Sequence, residues 1–168
     1  MIPRYTPDDV GRLWTEGHKV RTWLDVEVAA CRAMAEEGLV PAQDVDAIEA
    51  AARGCDPEAL AARALEIEAT TKHDIIAFLT AFEEIAGPVA RHVHFGLTSS
   101  DVLDTSLALR LVEATALVEE ALVALRRAVR ERAEEHRRTV MVGRSHGIHA
   151  EPVTFGMVMA GFYAELGR

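Results

Sequence analysis

The stretch from Gly143 to Pro152 carries the residue types in this chain that are best suited to acid–base chemistry. It holds two of the seven histidines, His146 and His149, and it also holds Arg144. Histidine is the side chain whose unperturbed pKa lies closest to physiological pH, so it can donate or accept a proton there. Glycine lets the backbone turn sharply and approach a ligand closely. A histidine presented beside an arginine is therefore suited to proton transfer on an anionic substrate.

Polar side chains also gather at two other breaks between apolar segments, residues 70–74 and residues 92–101. The polar residues at these two breaks include Lys72, His73, Asp74, His92, His94, Thr98 and Ser99. A single histidine at the end of a helix can be a capping neighbour, so one break alone carries little information. The recurrence of histidine at all three breaks is what points to a site.

The composition is that of a globular protein with an acidic balance. Of the 168 residues, 49% are hydrophobic, and 18 basic against 27 acidic side chains give a formal net charge of −9. The absence of a dense basic face argues against a nucleic-acid binder, although a pocket can still collect a few cations around an anionic small molecule. Cys31 and Cys55 are too few for a disulfide framework, and no run of about 18 apolar residues could span a membrane. We therefore expect a soluble, cytoplasmic protein.

Apolar residues recur at helical spacing through most of the chain. Helices are predicted after Thr6, from His18 to about Glu37, from Pro41 to about Arg53, from Pro57 to about Glu68, from Thr70 to Ile85, from Asp101 to Arg138 and from Pro152 to Gly167. Thr6 is predicted to cap the first helix, and Pro152 is predicted to open the last one. No period-2 alternation of useful length is present, so the sequence predicts an all-α fold without strands.

The segment after Asp101 has an unusually long helical pattern. Its seam, spaced alternately by four and three residues, consists of Leu107, Leu111, Ala114, Val118, Ala121, Leu125 and Ala128. Such a seam is typical of a helix in a bundle, and Thr98 or Ser99 with Asp101 comes close to a capping box at its start. A continuous helix to Arg138 would be roughly 55 Å long, whereas a compact globule of this chain length is roughly 40 Å across. The helix is therefore expected to pack against other subunits or further chain.

Five stretches of the sequence resemble the bacterial adenylosuccinate lyases, a family within the fumarase/aspartase superfamily. They are residues 4–5 (RY), 23–27 (WLDVE), 71–78 (TKHDIIAF), 94–105 (HFGLTSSDVLDT) and 143–152 (GRSHGIHAEP). These stretches occur in the family's order and cover the chain from end to end. Any one of them alone would be a weak signal, but together they are highly specific.

The resemblance implies both a fold and a reaction. Residues 1–97 would form a small N-terminal helical domain, and residues 98–168 would form the first long helices of a truncated central helical bundle. The reaction would be a β-elimination that breaks a C–N bond and releases fumarate, from adenylosuccinate to give AMP and from SAICAR to give AICAR in purine biosynthesis. Enzymes of this family are homotetramers with active sites built from three subunits. We expect no cofactor and no metal ion, and the charge and apolar patterns given above predict no nucleic-acid partner and no membrane span.

The same resemblance assigns catalytic roles to two histidines. His146 resembles the general acid that protonates the departing nitrogen, and His73 resembles a second active-site histidine that contacts the substrate. Lys72 and Asp74 lie beside His73, and Lys72 stands where arginine is also common. Removing a proton next to a carboxylate builds a doubly charged intermediate, so nearby cations and hydrogen-bond donors suit the reaction.

Further positions resemble the family's substrate-binding residues. Thr98 and Ser99 resemble groups that bind the fumaryl carboxylates, at a helix start where exposed N–H groups favour anions. His94 resembles a histidine near the phosphate, and Arg4 and Tyr5 resemble contacts to the nucleotide. The site predicted by resemblance thus draws on all three breaks and on the N-terminal segment.

The family's catalytic base is a serine on a mobile, glycine-rich loop far downstream, which this chain does not contain. Ser145 cannot replace this serine, and because it adjoins His146 the two cannot form the hydrogen-bonded pair of a Ser–His hydrolase. We therefore expect the chain to be the N-terminal portion of the enzyme and to be inactive by itself.

Two readings from other classes remain open at this stage. A structural oligomerisation module would explain the long helix but not the three polar breaks. A metal-binding protein could use the pairs His92 and His94 or His146 and His149, but no Glu-x-x-His or Cys/His array accompanies them.

Overall fold

The computed structural model of the chain describes residues 2–168, which form helices and one hairpin. The elements are α1 (Asp8–Gly11), α2 (Glu16–Glu36), α3 (Ala42–Gly54), α4 (Pro57–Thr71), α5 (Asp74–Ala86), α6 (Ser99–Glu135), β1 (Val140–Ser145), β2 (Ile148–Thr154) and α7 (Phe155–Leu166). Short 3₁₀ turns lie at Pro3–Tyr5, Arg12–Trp14 and Gly87–His92. The predicted helical fold class is confirmed, with the hairpin as an addition.

Local signals in the sequence start the helices of the N-terminal part. The Thr15 hydroxyl accepts a hydrogen bond from the His18 N–H at the start of α2, and the Asp56 carboxylate accepts from the N–H groups of Glu58 and Ala59 at the start of α4. Each contact satisfies backbone donors that the first turn of a helix leaves free. These caps fix where α2 and α4 begin.

The apolar faces of α2 to α5 meet in a common core. Leu24, Ile48 and Phe82 are at most 1% exposed, and the rings of Trp23 and Phe78 meet edge to face with centroids 5.3 Å apart. Burying a large apolar side chain contributes about 1.5–3 kcal/mol, so this core holds the breaks between the helices in place.

Helix α6 has the predicted capping signal and an exposed seam. The Thr98 N–H donates to Asp101 Oδ2 at 2.8 Å, which is one half of the predicted capping box. The helix ends at Glu135, slightly before the predicted Arg138. Among its seam residues, Leu111 is 48% exposed and Val118 is 61% exposed.

The prediction of no strands is wrong for residues 140–154. Strands β1 and β2 pair antiparallel, with a register shift between Val142 and Arg144. Pro152 lies inside β2 opposite Val142, so it does not open the last helix. A two-stranded ribbon has a free edge on each strand, and a proline without an N–H is tolerated there. Helix α7 begins instead at Phe155.

The predicted cap of the first helix is also wrong. The N-cap of α1 is Pro7, without a side-chain hydrogen bond, and the Thr6 hydroxyl donates to the Ile2 carbonyl at 2.8 Å. The residues before α1 already form a 3₁₀ turn, and Ile2, which precedes this turn, supplies the acceptor for Thr6.

The chain divides into two compact units, one that runs to Ala114 and one from Thr115 to Arg168. The division falls within α6. The predicted domains, residues 1–97 and 98–168, stay a prediction. Within the part of the chain that the structure describes, no helix has the length and apolarity that crossing a membrane requires.

Candidate functional site

The break between α4 and α5 places three polar side chains in succession. Lys72 adopts a left-handed backbone conformation (φ +57°) at the end of α4, and its Nζ donates to the Ala69 carbonyl. His73 is the N-cap of α5, where its Nδ1 accepts a hydrogen bond from the Ile76 N–H at 3.3 Å. Asp74 Oδ1 lies 3.5 Å from the same ring nitrogen. Because Nδ1 accepts, the neutral ring carries its proton on Nε2.

The break before α6 contains a histidine held by a buried acid. His94 has a left-handed backbone (φ +66°), and its N–H donates to Glu27 Oε2 at 2.8 Å. Its ring Nδ1 lies 2.6 Å from Glu27 Oε1. The Glu27 side chain is only 1% exposed, and that of His94 is 17% exposed. One carboxylate thus fixes both the backbone and the ring of His94.

Thr98 and Ser99 lie at the start of α6, as predicted. Thr98 precedes the helix, with its N–H bound to Asp101, and Ser99 is the first helical residue. The first-turn N–H groups of a helix and its dipole favour anions, so these positions are suited to carboxylate binding.

The third break is the hairpin turn between β1 and β2. His146 and Gly147 stand between the paired residues Ser145 and Ile148, and both have positive φ, +52° and +72°. Two consecutive positive φ values are the mark of a type I′ turn, which matches the twist of the flanking strands. His146 is exposed at the tip of this turn. At the register shift, Gly143 packs so closely against the Glu151 carbonyl that a Cβ would collide with it.

Arg4 and Tyr5 lie in the first 3₁₀ turn. The Arg4 guanidinium carbon lies 4.7 Å from the centroid of the Tyr5 ring, within the range of a cation–π contact. Tyr5 is 68% exposed and Arg4 is also exposed, so both side chains are accessible to a ligand.

The backbone conformation singles out the three breaks. Among residues 2–168, the non-glycine residues with positive φ are Lys72, His94 and His146, one at each break. A non-glycine residue in this region costs of order 1–3 kcal/mol and is enriched at functional sites. All three were candidate site residues from sequence. The first two breaks belong to the unit that runs to Ala114, and the hairpin belongs to the other unit.

Glu27, which contacts His94, is a candidate site residue that the sequence analysis did not identify. It occupies an apolar-face position of α2 in the same periodic series as Trp23 and Leu24. A carboxylate on a buried face needs a partner, because an unpaired buried charge is strongly unfavourable. The position of Glu27 on the apolar face was the signal in the sequence that it has a buried partner. The sequence pattern does not identify His94 as that partner.

The arrangement also bears on metal binding. The rings of His92 and His94 contact the carboxylates of Asp44 and Glu27, at 2.9 and 2.6 Å. Across the described residues, no group of three or more His, Cys, Asp or Glu side chains is placed to hold a metal ion.

A cleft of about 310 Å³ lies between the end of α6 and α7, and its lining includes none of the predicted site residues. It is lined by Arg130, Ala133, Glu134, Arg137, Thr154, Gly156, Met157, Ala160 and Tyr163. Its walls are mainly apolar, and it holds none of the histidines considered above.

The sequence of residues 4–168 matches the lyase family, and the chain belongs to this family. Among characterised proteins, it is 55% identical over 168 residues to the adenylosuccinate lyase of Synechocystis sp.. That match covers 100% of this chain and 38% of the relative, so the chain spans well under half the length of the enzyme it resembles.

Solved structures of similar fold also include a lyase. The fold superposes on a fumarate lyase from Mesorhizobium sp. BNC1 with a TM-score of 0.88 at 30% identity, covering 98% of this chain and 38% of the other. It superposes on a 3-carboxy-cis,cis-muconate lactonizing enzyme from Pseudomonas putida with a TM-score of 0.85 at 36% identity, covering 96% and 37%.

Proposed function

We propose that this chain is the N-terminal part of an adenylosuccinate lyase and contributes some of the residues of its active sites. The observation that carries the proposal is the left-handed backbone of Lys72, His94 and His146, one at each polar break. The similarity to the Synechocystis enzyme over the whole chain supports the choice of substrate. The reaction would release fumarate from adenylosuccinate and from SAICAR, in purine biosynthesis in the cytoplasm.

The residue types fit the needs of this elimination. The departing nitrogen requires a proton donor, and His146 at an exposed turn is accessible to it. The dianionic intermediate requires cations and N–H donors, which Lys72 and the start of α6 can supply. His73 and Asp74 would contact the substrate beside Lys72. His94, Arg4 and Tyr5 would bind the nucleotide portion.

The proposal includes assembly into a homotetramer. The exposed seam of α6, with Val118 61% exposed and Leu125 50% exposed, supports a partner along this helix. Apolar side chains at such regular spacing are stabilised when a second helix covers them. Other subunits would then complete each site, and the downstream serine loop would supply the base. The 168-residue chain by itself is expected to be inactive.

A chimeric enzyme tests the catalytic proposal. This chain would replace the matching 168 residues of the Synechocystis enzyme, and fumarate release from adenylosuccinate and SAICAR would be measured. Because general acid catalysis contributes about 10²–10⁴-fold, His146→Gln should lower kcat by at least about 100-fold. His149→Gln, on the same hairpin, is the matched control and should retain activity within a few-fold.

The outcomes separate the competing functions. An active chimera that tolerates His146→Gln unchanged would remove the catalytic role of this histidine. Turnover of 3-carboxy-cis,cis-muconate in place of adenylosuccinate would favour the second candidate reaction, which the similarity to the Pseudomonas putida enzyme suggests. A tetramer that turns over neither substrate would favour a structural oligomerisation module.

A further inference from the structure

We propose that Glu27 is a positioning residue that fixes the tautomer and the orientation of His94, so that only Nε2 faces the substrate. The structural half of this inference stands on the geometry of the two residues. The functional half rests on the proposed function, in which His94 binds the nucleotide.

The buried carboxylate determines where the ring proton lies. Glu27 is 1% exposed, and its two oxygens receive the His94 N–H at 2.8 Å and the ring Nδ1 at 2.6 Å. An ionised carboxylate can only accept hydrogen bonds, so Nδ1 must carry a proton. The neutral ring is therefore the Nδ1–H form, which leaves Nε2 as the ring nitrogen that does not contact Glu27.

The same contact holds an unfavourable backbone conformation. His94 has φ +66°, a region that side-chain-bearing residues adopt only when the surroundings stabilise it. Glu27 reaches this turn from α2, across a sequence separation of 67 residues. The acid thereby connects the rigid core to the break before α6.

The consequence for binding is preorganisation. A ring held at Nδ1 and at its backbone N–H has lost its rotational freedom before the ligand arrives, which reduces the entropy cost of binding. Nε2 then acts as an acceptor in the neutral ring and as a donor in the imidazolium. The donor form suits a phosphate or carboxylate oxygen, in keeping with a nucleotide ligand.

His73 provides an internal comparison. Its Nδ1 accepts a hydrogen bond from a backbone N–H, so its neutral form carries the proton on Nε2. The chain thus sets opposite tautomers at two of its breaks, by a backbone donor at one and by a buried acid at the other.

Nitrogen NMR of the 168-residue chain tests the structural half directly. With ¹⁵N-labelled histidine, and with a His94→Gln variant to assign the signal, wild-type His94 should be protonated at Nδ1 in its neutral form. In Glu27→Gln, the His94 N–H can only donate, so the Gln amide oxygen must accept from it. The Gln NH₂ group then faces the ring Nδ1, which must accept. The ring should switch to the Nε2–H form.

Asp44→Asn is the matched control, because Asp44 contacts His92 at 2.9 Å but does not contact His94. It should alter only the His92 signals. If Glu27→Gln fails to fold, the wild-type spectrum still shows which ring nitrogen of His94 carries the proton. A wild-type His94 in the Nε2–H form, or the same tautomer in both folded proteins, would overturn the proposal.

Kinetics of the chimeric enzyme test the functional half. Loss of one charge-assisted hydrogen bond to the substrate corresponds to about 10–100-fold in binding, so Glu27→Gln should raise KM by this factor and lower kcat less. Glu27→Asp, which keeps two acceptor oxygens, should recover part of the loss, and Asp44→Asn should leave KM unchanged. An unchanged KM in a variant whose tautomer has switched would refute the positioning role.

The two proposals can fail separately. A wild-type chimera without fumarate release would count against the proposed function, while the NMR result would still decide whether Glu27 sets the His94 tautomer.

Discussion

At the scale of single residues, burial decides the chemistry of the side chains that surround the site. Glu27 and Cys31 lie one helical turn apart on α2, and both are at most 1% exposed. The Cys31 thiol contacts the His92 carbonyl at 3.6 Å, next to the break that carries His94. Burial, and then the nearby Glu27 charge, raise the pKa of Cys31 from 9.0 to about 11. This thiol is therefore a structural group at neutral pH rather than a nucleophile.

The raised pKa of Cys31 predicts a loss of stability in alkali. Between pH 9 and 11 the unfolded thiol loses its proton while the folded one keeps it. The unfolded state then binds fewer protons, so the free energy of unfolding falls as pH rises through this window. Relative to Cys31→Ala, the free energy of unfolding of the wild type should fall by about 1–3 kcal/mol between pH 9 and 11, at roughly 1.4 kcal/mol per pKa unit.

Urea denaturation of both proteins from pH 6 to 11 measures this difference. Between pH 6 and 8 the difference should be constant, since the thiol is protonated in both states, and this range serves as the internal control. A difference that stays constant up to pH 11 would contradict the raised pKa of Cys31.

Glu49 predicts the opposite behaviour in acid. Its hydrogen bond from Arg32, assisted by Arg53, lowers its pKa from 4.5 to about 2. The stabilisation is present above pH 4.5 and is lost as pH falls towards 2, because the unfolded carboxylate takes up its proton first. The stability advantage of the wild type over Glu49→Gln should therefore shrink from pH 4.5 to pH 2, as measured by thermal unfolding. Introducing Arg32→Gln into both proteins should remove most of this pH dependence.

At the scale of elements, close packing where α7 begins depends on one glycine. A Cβ on Gly156 would lie 2.5 Å from the Ala133 carbonyl oxygen and 2.6 Å from the Arg137 backbone nitrogen. These are backbone atoms, which cannot move aside as the end of a flexible side chain can. The approach between the end of α6 and α7 therefore requires a residue without a side chain.

Gly156→Ala should consequently destabilise the chain, with overpacking of this kind costing about 1–3 kcal/mol. Gly161→Ala is the matched control on the same helix, since a Cβ there meets nothing within 4 Å. It should stabilise the helix by up to about 1 kcal/mol through helix propensity. Thermal unfolding followed by circular dichroism compares the two variants, and equal effects would show that packing does not decide the cost at Gly156.

The elements also show which parts of the fold and of the candidate site the sequence could predict and which it could not. Helical periodicity located α2 to α6 to within a few residues, because apolar side chains recur at helical spacing along each of them. The hairpin was missed, since Pro152 and the glycines of residues 143–152 are typical of a loop and its strands are too short for alternation to be clear. The three breaks were found from their polar residues. The contact between Glu27 and His94 was not, because a pairing between residues distant in sequence has no local signal.

At the scale of the whole molecule, the apolar surface of α6 exceeds what the described residues cover. Of this helix, only Val102, Ser106 and Arg110 are buried, while Leu111 is 48% and Val118 is 61% exposed. A net charge of −9 would by itself keep copies of the chain apart. If copies of the chain associate, we expect the apolar seam, and not charge attraction, to hold them together.

We expect the chain to self-associate through this seam. Val118→Glu should weaken the association by about 10–100-fold in Kd. This factor is the equivalent of losing about 1.5–3 kcal/mol of apolar burial. Leu65→Glu is the matched control, because Leu65 on α4 is 69% exposed and the substitution adds the same charge away from α6. Sedimentation equilibrium at several protein concentrations measures both. Equal weakening by the two variants would mean that added charge, and not the seam, controls assembly. A chain that stays monomeric at all concentrations would contradict association of these residues through the seam.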